Sequence, residues 1–247
     1  MIQKPGEGHP RYSVGRTCMS SEIRVISSMA TRRLLAELVA RFEAISTQAV
    51  ALESVGGVDA AARVAAGEPF DAVILAADAI EALIAKHRVL AGSRVDLVHS
   101  EIAMAVRAGT PHHDVDTEDA VRRAVLAARS VGYSTGPSGS YLVDLFKRWN
   151  IAAEWQGRLV KAPAGTPVGS LVASGEIDLG FQQLSELIHV PGIEVIGTLP
   201  AAIRHVTTFS AGIAHTSTQP ERVRALLAFL AAPEADAIKR QNGMEPA

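Results

Sequence analysis

The stretch Ile23-Arg24-Val25-Ile26-Ser27-Ser28 decides how this chain is read. A short apolar, β-branched run ends in two small hydroxyl residues. Leu34, Leu35, Leu38, Val39 and Phe42 then recur at helical spacing, so the unit is strand, capped turn, helix. It repeats at once. Val50-Ala51-Leu52 is a second strand, Ser54-Val55-Gly56-Gly57 a turn, and Val58 to Ala66 a helix closed by Gly67 with Pro69 just beyond. Ala72 to Leu75 is a third strand, apolar at every position, followed by Asp78 and a helix from Ala79 to Lys86. Strands alternating with helices specify a parallel sheet with crossover helices, and strands buried on both faces read as continuous apolar runs.

The pattern continues outward. Ser100 to Val106 is strand-like, and Asp116 to Ala128 is a helix beginning near Thr117. Ser130 to Tyr133 is a strand, then comes Ser134-Thr135-Gly136-Pro137-Ser138-Gly139, then a helix from Tyr141 to Trp149. Pro167 to Ala173 is a helix, Asp178 to Phe181 a strand, and Ser185 begins a short turn or helix. Val195 to Leu199 and Thr207 to Ala214 are strands, and Pro220 to Leu230 is the last long helix. No internal repeat appears, which excludes solenoids and propellers.

Composition limits the function classes. Hydrophobic residues make up 48% and aromatics 4% of 247 residues, so the core is small and aliphatic. A net charge of −2 gives no footprint for nucleic acid. Cys18 is the single cysteine; it excludes an internal disulfide and cysteine metal clusters. The eight histidines show no zinc-binding spacing, and His112-His113 reads as a surface loop. The expected site needs no metal and no cofactor. No apolar run is long enough to insert in a membrane. Met1 to Cys18 is polar, rich in Gly, Pro and Arg, and lacks an apolar leader core. Residues 1–21 therefore read as a disordered tail or non-native extension, with Met19 as a candidate start, and the expected compartment is the cytoplasm. The alternative is a periplasmic protein whose leader was removed.

The chemistry-bearing residues cluster at strand ends. Ser27-Ser28 (with Thr31), Gly56-Gly57 and Ser134-Thr135-Gly136 with Ser138 each sit between a strand and a helix N-terminus. Such turns are either ordinary helix caps or walls of an anion cleft, because backbone N–H groups and the helix dipole converge there. The Ser134 to Gly139 segment is not a phosphate loop, since no Lys follows its last Gly. It is not a nucleophile elbow either, since no Gly-x-Ser-x-Gly lies there. Arg107, just past a strand, is placed to grip a carboxylate in two-pronged fashion. Gln182, Gln183 and Ser185 offer uncharged hydrogen bonds to ligand oxygens. His205, Asp59 and Glu186 are the candidate proton-transfer groups, although a histidine so placed is more often a satisfied buried imidazole and an acid placed like Asp59 more often a helix cap.

Several stretches recur together in a known family: Ile23 to Ser28, Ala66-Gly-Glu-Pro-Phe-Asp71 with Asp78, the Gly132 to Tyr141 loop, Ser174-Gly-Glu-Ile-Asp-Leu-Gly-Phe181, and Phe229-Leu-Ala-Ala-Pro-Glu-Ala235. In this the chain resembles the molybdate-binding branch of type II periplasmic binding proteins. The resemblance implies an α/β protein of two lobes, each a mainly parallel sheet flanked by helices, with the ligand cleft between them. It implies one lobe from residues 22–104 and 206–247, another from 105–205, and crossings near 103–108 and 203–208. Gly56-Gly57-Val58 stands where molybdate binders present serine hydroxyls, and Arg107 is foreign to a neutral cage; both favour a polycarboxylate. The Gly132 to Gly139 loop and Gly180-Phe-Gln-Gln-Leu-Ser-Glu186 are similar to aconitate isomerase-like proteins, which implies an allylic proton shift. The alternative is the binding component of an uptake system for molybdate or another small anion, with a membrane permease as partner.

Overall fold

The computed structural model of the protein describes residues 22–111, 114–151, 157–163 and 165–247. The expectations for residues 1–21 and for His112-His113 lie outside these residues. The elements in chain order are β1 (Ile23–Ser28), α1 (Arg32–Ile45), β2 (Val50–Val55), α2 (Gly57–Ala65), β3 (Ala72–Ala76), α3 (Ala77–Ala85) and β4 (Val95–Arg107). They continue with α4 (Glu118–Ala127), β5 (Val131–Tyr133), α5 (Pro137–Arg148), β6 (Leu159–Lys161), α6 (Val168–Ser174), β7 (Leu179–Gln183), α7 (Leu184–Leu187) and β8 (Ile193–Thr198). The chain ends with β9 (Val206–Ile213), α8 (Pro220–Ala231), α9 (Asp236–Gln241) and β10 (Glu245–Pro246).

The fold is two-lobed. In one lobe β1 pairs in parallel with β2 and β3, while β9 and then β4 extend the sheet antiparallel. In the other, β5 pairs in parallel with β6 and β7, and β4 runs antiparallel to both β7 and β8. One long strand serves both sheets. Val95 to Glu101 of β4 pairs with β9, whereas Ile102 to Arg107 pairs with β7 and β8. The partner change between Glu101 and Ile102 is one bridge between the lobes. The second is the segment from Leu199 into β9, whose first residue Val206 lies opposite Glu101.

Packing follows the same division. Leu34, Leu35, Leu38, Val39 and Phe42 of α1 are all buried against β1, β3, β9 and α8. On the opposite face of that sheet, Ala60, Val64, Ile80 and Leu83 of α2 and α3 close over Ile26, Val73 and Leu75. β3 is buried at every position because it lies mid-sheet with helices on both sides. A separate cluster joins Met104, Val125, Leu142, Phe146 and Phe181 in the second lobe. Each such large side chain contributes about 1.5–3 kcal/mol by leaving water, so each lobe carries its own stabilising core.

Three elements differ from the sequence reading in ways that matter for the site. The helix expected from Tyr141 begins at Pro137, because proline suits the first helical position and Gly136 precedes it as N-cap. The polar Ser134 to Gly139 stretch is thus part loop and part first turn. β6, three residues long, carries too little pattern to be read beforehand. β4 is almost twice the expected length, since it belongs to two sheets.

Candidate functional site

The parallel strands of both lobes point their C-terminal ends at one cleft. Residues following β1 (Ser28, Met29, Ala30), β2 (Gly56, Gly57), β5 (Ser134 to Ser138), β6 (Ala162, Pro163, Gly165 to Pro167) and β7 (Gln182, Gln183, Glu186) line it, with Phe209 on the floor. The cavity volume is about 60 Å³, and the cleft opens on one side to solvent.

Local sequence shapes each wall. Ser28 accepts a hydrogen bond from the Ala30 amide at 3.3 Å, and Thr31 donates to the Ser28 carbonyl at 3.0 Å. Together they close the turn at the entry to α1. Gly57 begins α2 with its Cα facing Ser28; a Cβ there would sit 3.7 Å from the Ser28 Oγ, so the missing side chain leaves the helix N-terminus open towards the cleft. The Ser134 and Ser138 hydroxyls lie 3.0 Å apart. Gly139 permits this loop, because a Cβ there would lie 1.8 Å from the Ser134 carbonyl oxygen.

The electrostatics are unusual for an anion site. Among the described lining residues there is no Lys, Arg or His, and Glu186 is the sole charged side chain. The first-turn N–H groups of α2 and α5, which a helix leaves without internal partners, supply the positive potential. Burial pushes the Glu186 carboxyl up to about 7, against a smaller opposing effect from the Gln182 hydrogen bond. Part of Glu186 reaches the cleft, yet most of the carboxyl is surrounded by protein. Gln182 is anchored at both ends of its amide: its oxygen accepts from the Val168 amide at 2.9 Å, and its nitrogen donates to Glu186 at 2.8 Å. The carboxyl of Glu186 is therefore held by a group that is itself fixed to the start of α6.

The structure sorts the expected residues. Ser28, Gly56, Gly57, Ser134, Thr135, Gly136, Ser138, Gln182 and Glu186 come together at the cleft. Ser27 does not. It occupies the opposite face of β1, where its hydroxyl lies 2.7 Å from that of Ser54 on β2, as strand alternation requires. Thr31 is buried beneath the turn. Ser185 also points away, its Oγ buried without a hydrogen-bond partner. Asp59 is exposed in the first turn of α2, outside the lining. His205 lies in a neighbouring chamber, stacked on Tyr141 with ring centroids 4.4 Å apart; desolvation lowers its pKa.

Arg107 is the main displacement. It is exposed at the far end of the second lobe, in a surface hollow with Gly175 and Asp178. The reason is strand direction. β4 is antiparallel to β7, so its C-terminus emerges at the N-terminal edge of the parallel strands, opposite the cleft. The expectation that a strand-end guanidinium faces the ligand holds only for strands running with the parallel set. Missed by the sequence reading were Met29, Ala30, Phe209 and the residues after β6, Ala162, Pro163 and Gly165 to Pro167. Those after β6 would have been found had β6 been recognised. Among the described residues no group of three or more His, Cys, Asp or Glu is arranged to hold a metal ion, and no helix is long and apolar enough to cross a membrane.

Two small-domain sheets joined at crossing strands, with helix N-termini facing one cleft, define a periplasmic-binding-protein fold of type II. The chain belongs to the bacterial extracellular solute-binding protein family, whose pattern it matches over residues 23–245. It is 38% identical over 230 residues to an aconitate isomerase from Pseudomonas sp, covering 91% of this chain and 87% of that protein. Among solved structures it is similar to the periplasmic molybdate-binding protein of Azotobacter vinelandii, with a TM-score of 0.76 and 21% identity over 90% of this chain and 98% of the other. It is also similar to the sulfate-binding protein SubI of Mycobacterium tuberculosis H37Rv, with a TM-score of 0.73 and 17% identity over 92% and 87% of the two chains. At these identities the structural likenesses speak for fold alone. The family description, extracellular, fits the exported alternative.

Proposed function

We propose that the protein binds a small polycarboxylate between its lobes and isomerises it by an allylic proton shift, as an aconitate isomerase does. The observation that carries this reading is Glu186, a near-neutral carboxyl in a cleft otherwise walled by uncharged donors. A general base works best when its pKa lies near the working pH. For a propene tricarboxylate, ionised Glu186 takes a proton from the methylene carbon. The electron pair delocalises through the double bond and onto a flanking carboxylate, where the first-turn N–H groups of α2 and α5 and the hydroxyls of Ser134 and Ser138 accommodate the charge. Glu186 then returns the same proton to the former vinylic carbon, so the double bond moves and no other reactant is consumed. The 38% identity to an aconitate isomerase supports the substrate class.

The second reading is a binding component of an uptake system, with a membrane permease as partner. The family match favours it, and it fits an exported protein. One experiment separates the two. Purified protein is challenged with trans-aconitate, cis-aconitate, citrate, molybdate, tungstate and sulfate in a thermal-shift panel. In parallel, proton NMR follows trans-aconitate in deuterated buffer. Interconversion of the aconitates, abolished in Glu186→Gln, is the expected result. Stabilisation by molybdate or sulfate with no response to polycarboxylates refutes the isomerase. Cell fractionation tests the compartment; the exported reading expects the protein in the periplasmic fraction.

A further inference from the structure

Gln183 is the last residue of β7, 2% exposed, and lines the floor of the cleft. Its amide nitrogen donates to the Thr207 hydroxyl at 2.9 Å. Its amide oxygen is buried and has no hydrogen-bond partner. This differs from its neighbour Gln182, whose two amide ends are both taken by protein groups. The Ser100 hydroxyl, cross-strand from Thr207 in register, is likewise buried and without a partner. The cleft floor thus has in Gln183 a polar group that the protein itself leaves unsatisfied, at the place where β7 meets the two bridging strands.

A buried, unsatisfied polar atom is costly, and among the described residues with such an atom Gln183 is the one that lines the cleft. We infer that Gln183 is the specificity-determining residue at the cleft floor, its free amide end hydrogen-bonding a carboxylate oxygen of the ligand. This rests on the polycarboxylate reading proposed above. The Thr207 hydroxyl both donates and accepts. A half-turn of the Gln183 amide therefore keeps that bond, with Thr207 now donating to the amide oxygen, and turns the N–H₂ towards an incoming carboxylate. The residue is uncharged in either orientation, in keeping with the rest of the wall. Through Thr207 it also touches β9, so ligand bound here contacts groups of both lobes.

The test is isothermal titration calorimetry of trans-aconitate with wild type, Gln183→Leu and Gln183→Glu, with the ligand-free melting temperature of each measured alongside. Losing a hydrogen bond to a charged ligand weakens binding about ten- to a hundredfold. Gln183→Leu is expected to show that loss while melting close to the wild-type temperature, since the relief of its unsatisfied oxygen offsets the lost bond to the Thr207 hydroxyl. Gln183→Glu, which adds a like charge, is expected to bind more weakly still. Affinity within twofold of wild type in Gln183→Leu overturns the inference. So does a fall in melting temperature that accompanies the lost affinity, because that marks a structural role. If wild type ignores trans-aconitate but binds molybdate or sulfate, the polycarboxylate reading fails, and the same variants titrated with that anion decide whether Gln183 reads ligand oxygens.

Discussion

Raising the pH should release the ligand, and Glu186 should be the cause. Its carboxyl is the sole charged group among the described cleft residues, and burial lifts it to about 7. Below that pH the cleft is neutral, and helix N-termini face the anion unopposed. Above it a carboxylate stands beside the ligand's own, with no lining cation to offset the repulsion. If the ionised form binds the ligand about a hundredfold more weakly than the neutral form, affinity falls as pH rises through about 7, and from about pH 6 to about pH 9 the loss is on the order of fiftyfold, while the weaker ionised complex is the one that reacts. Isothermal titration of trans-aconitate across that range measures it, and Glu186→Gln should flatten the curve near its low-pH affinity. The ligand-free protein offers a check through the same group. The folded state holds this proton more tightly than the unfolded chain, so its stabilising contribution is full below about pH 4.5 and is lost as pH rises through about 7. The whole difference is on the order of 3 kcal/mol. Wild type should therefore lose melting temperature between about pH 5 and pH 8 relative to Glu186→Gln. Equal slopes in the two proteins, in binding and in melting, would refute the reasoning.

Three further outcomes follow from the geometry. Gln182→Leu removes the donor that favours ionised Glu186, so the midpoint of the pH dependence should rise by about one pH unit; carbon-13 NMR of the glutamate carboxyls reads it directly, and an unmoved midpoint would show that Gln182 does not hold the group. Gly139→Ala drives a Cβ into the Ser134 carbonyl and should cost about 1–3 kcal/mol of stability while distorting the loop; denaturant titration and ligand affinity should both fall. Arg107→Ala should leave ligand affinity within twofold of wild type, as its side chain lies across the second lobe from the cleft; a tenfold loss by calorimetry would return it to the site.

Much of the architecture was legible in residues that obey local rules. The Ser27-Ser28 end of β1, the Gly56-Gly57 turn and the Ser134 to Gly139 segment announced strand-to-helix junctions, because small, hydroxyl and glycine residues are what such junctions need. Apolar periodicity located α1, α2 and α8, since one face of each must be buried. What a chain cannot announce locally is direction and partner. Arg107 ends a strand just as Ser28 does, but β4 runs against the parallel set, and only the assembled sheet reveals which edge a strand end occupies. Ser27 and Ser28 are adjacent and chemically alike, yet the pleat sends one into the sheet and the other into the cleft. The junctions came from sequence alone, by short-range sterics and burial. The elevation of Glu186, its tether through Gln182 to Val168 and the unsatisfied amide of Gln183 were decided by tertiary structure, because desolvation and hydrogen bonding there depend on segments that meet only after folding.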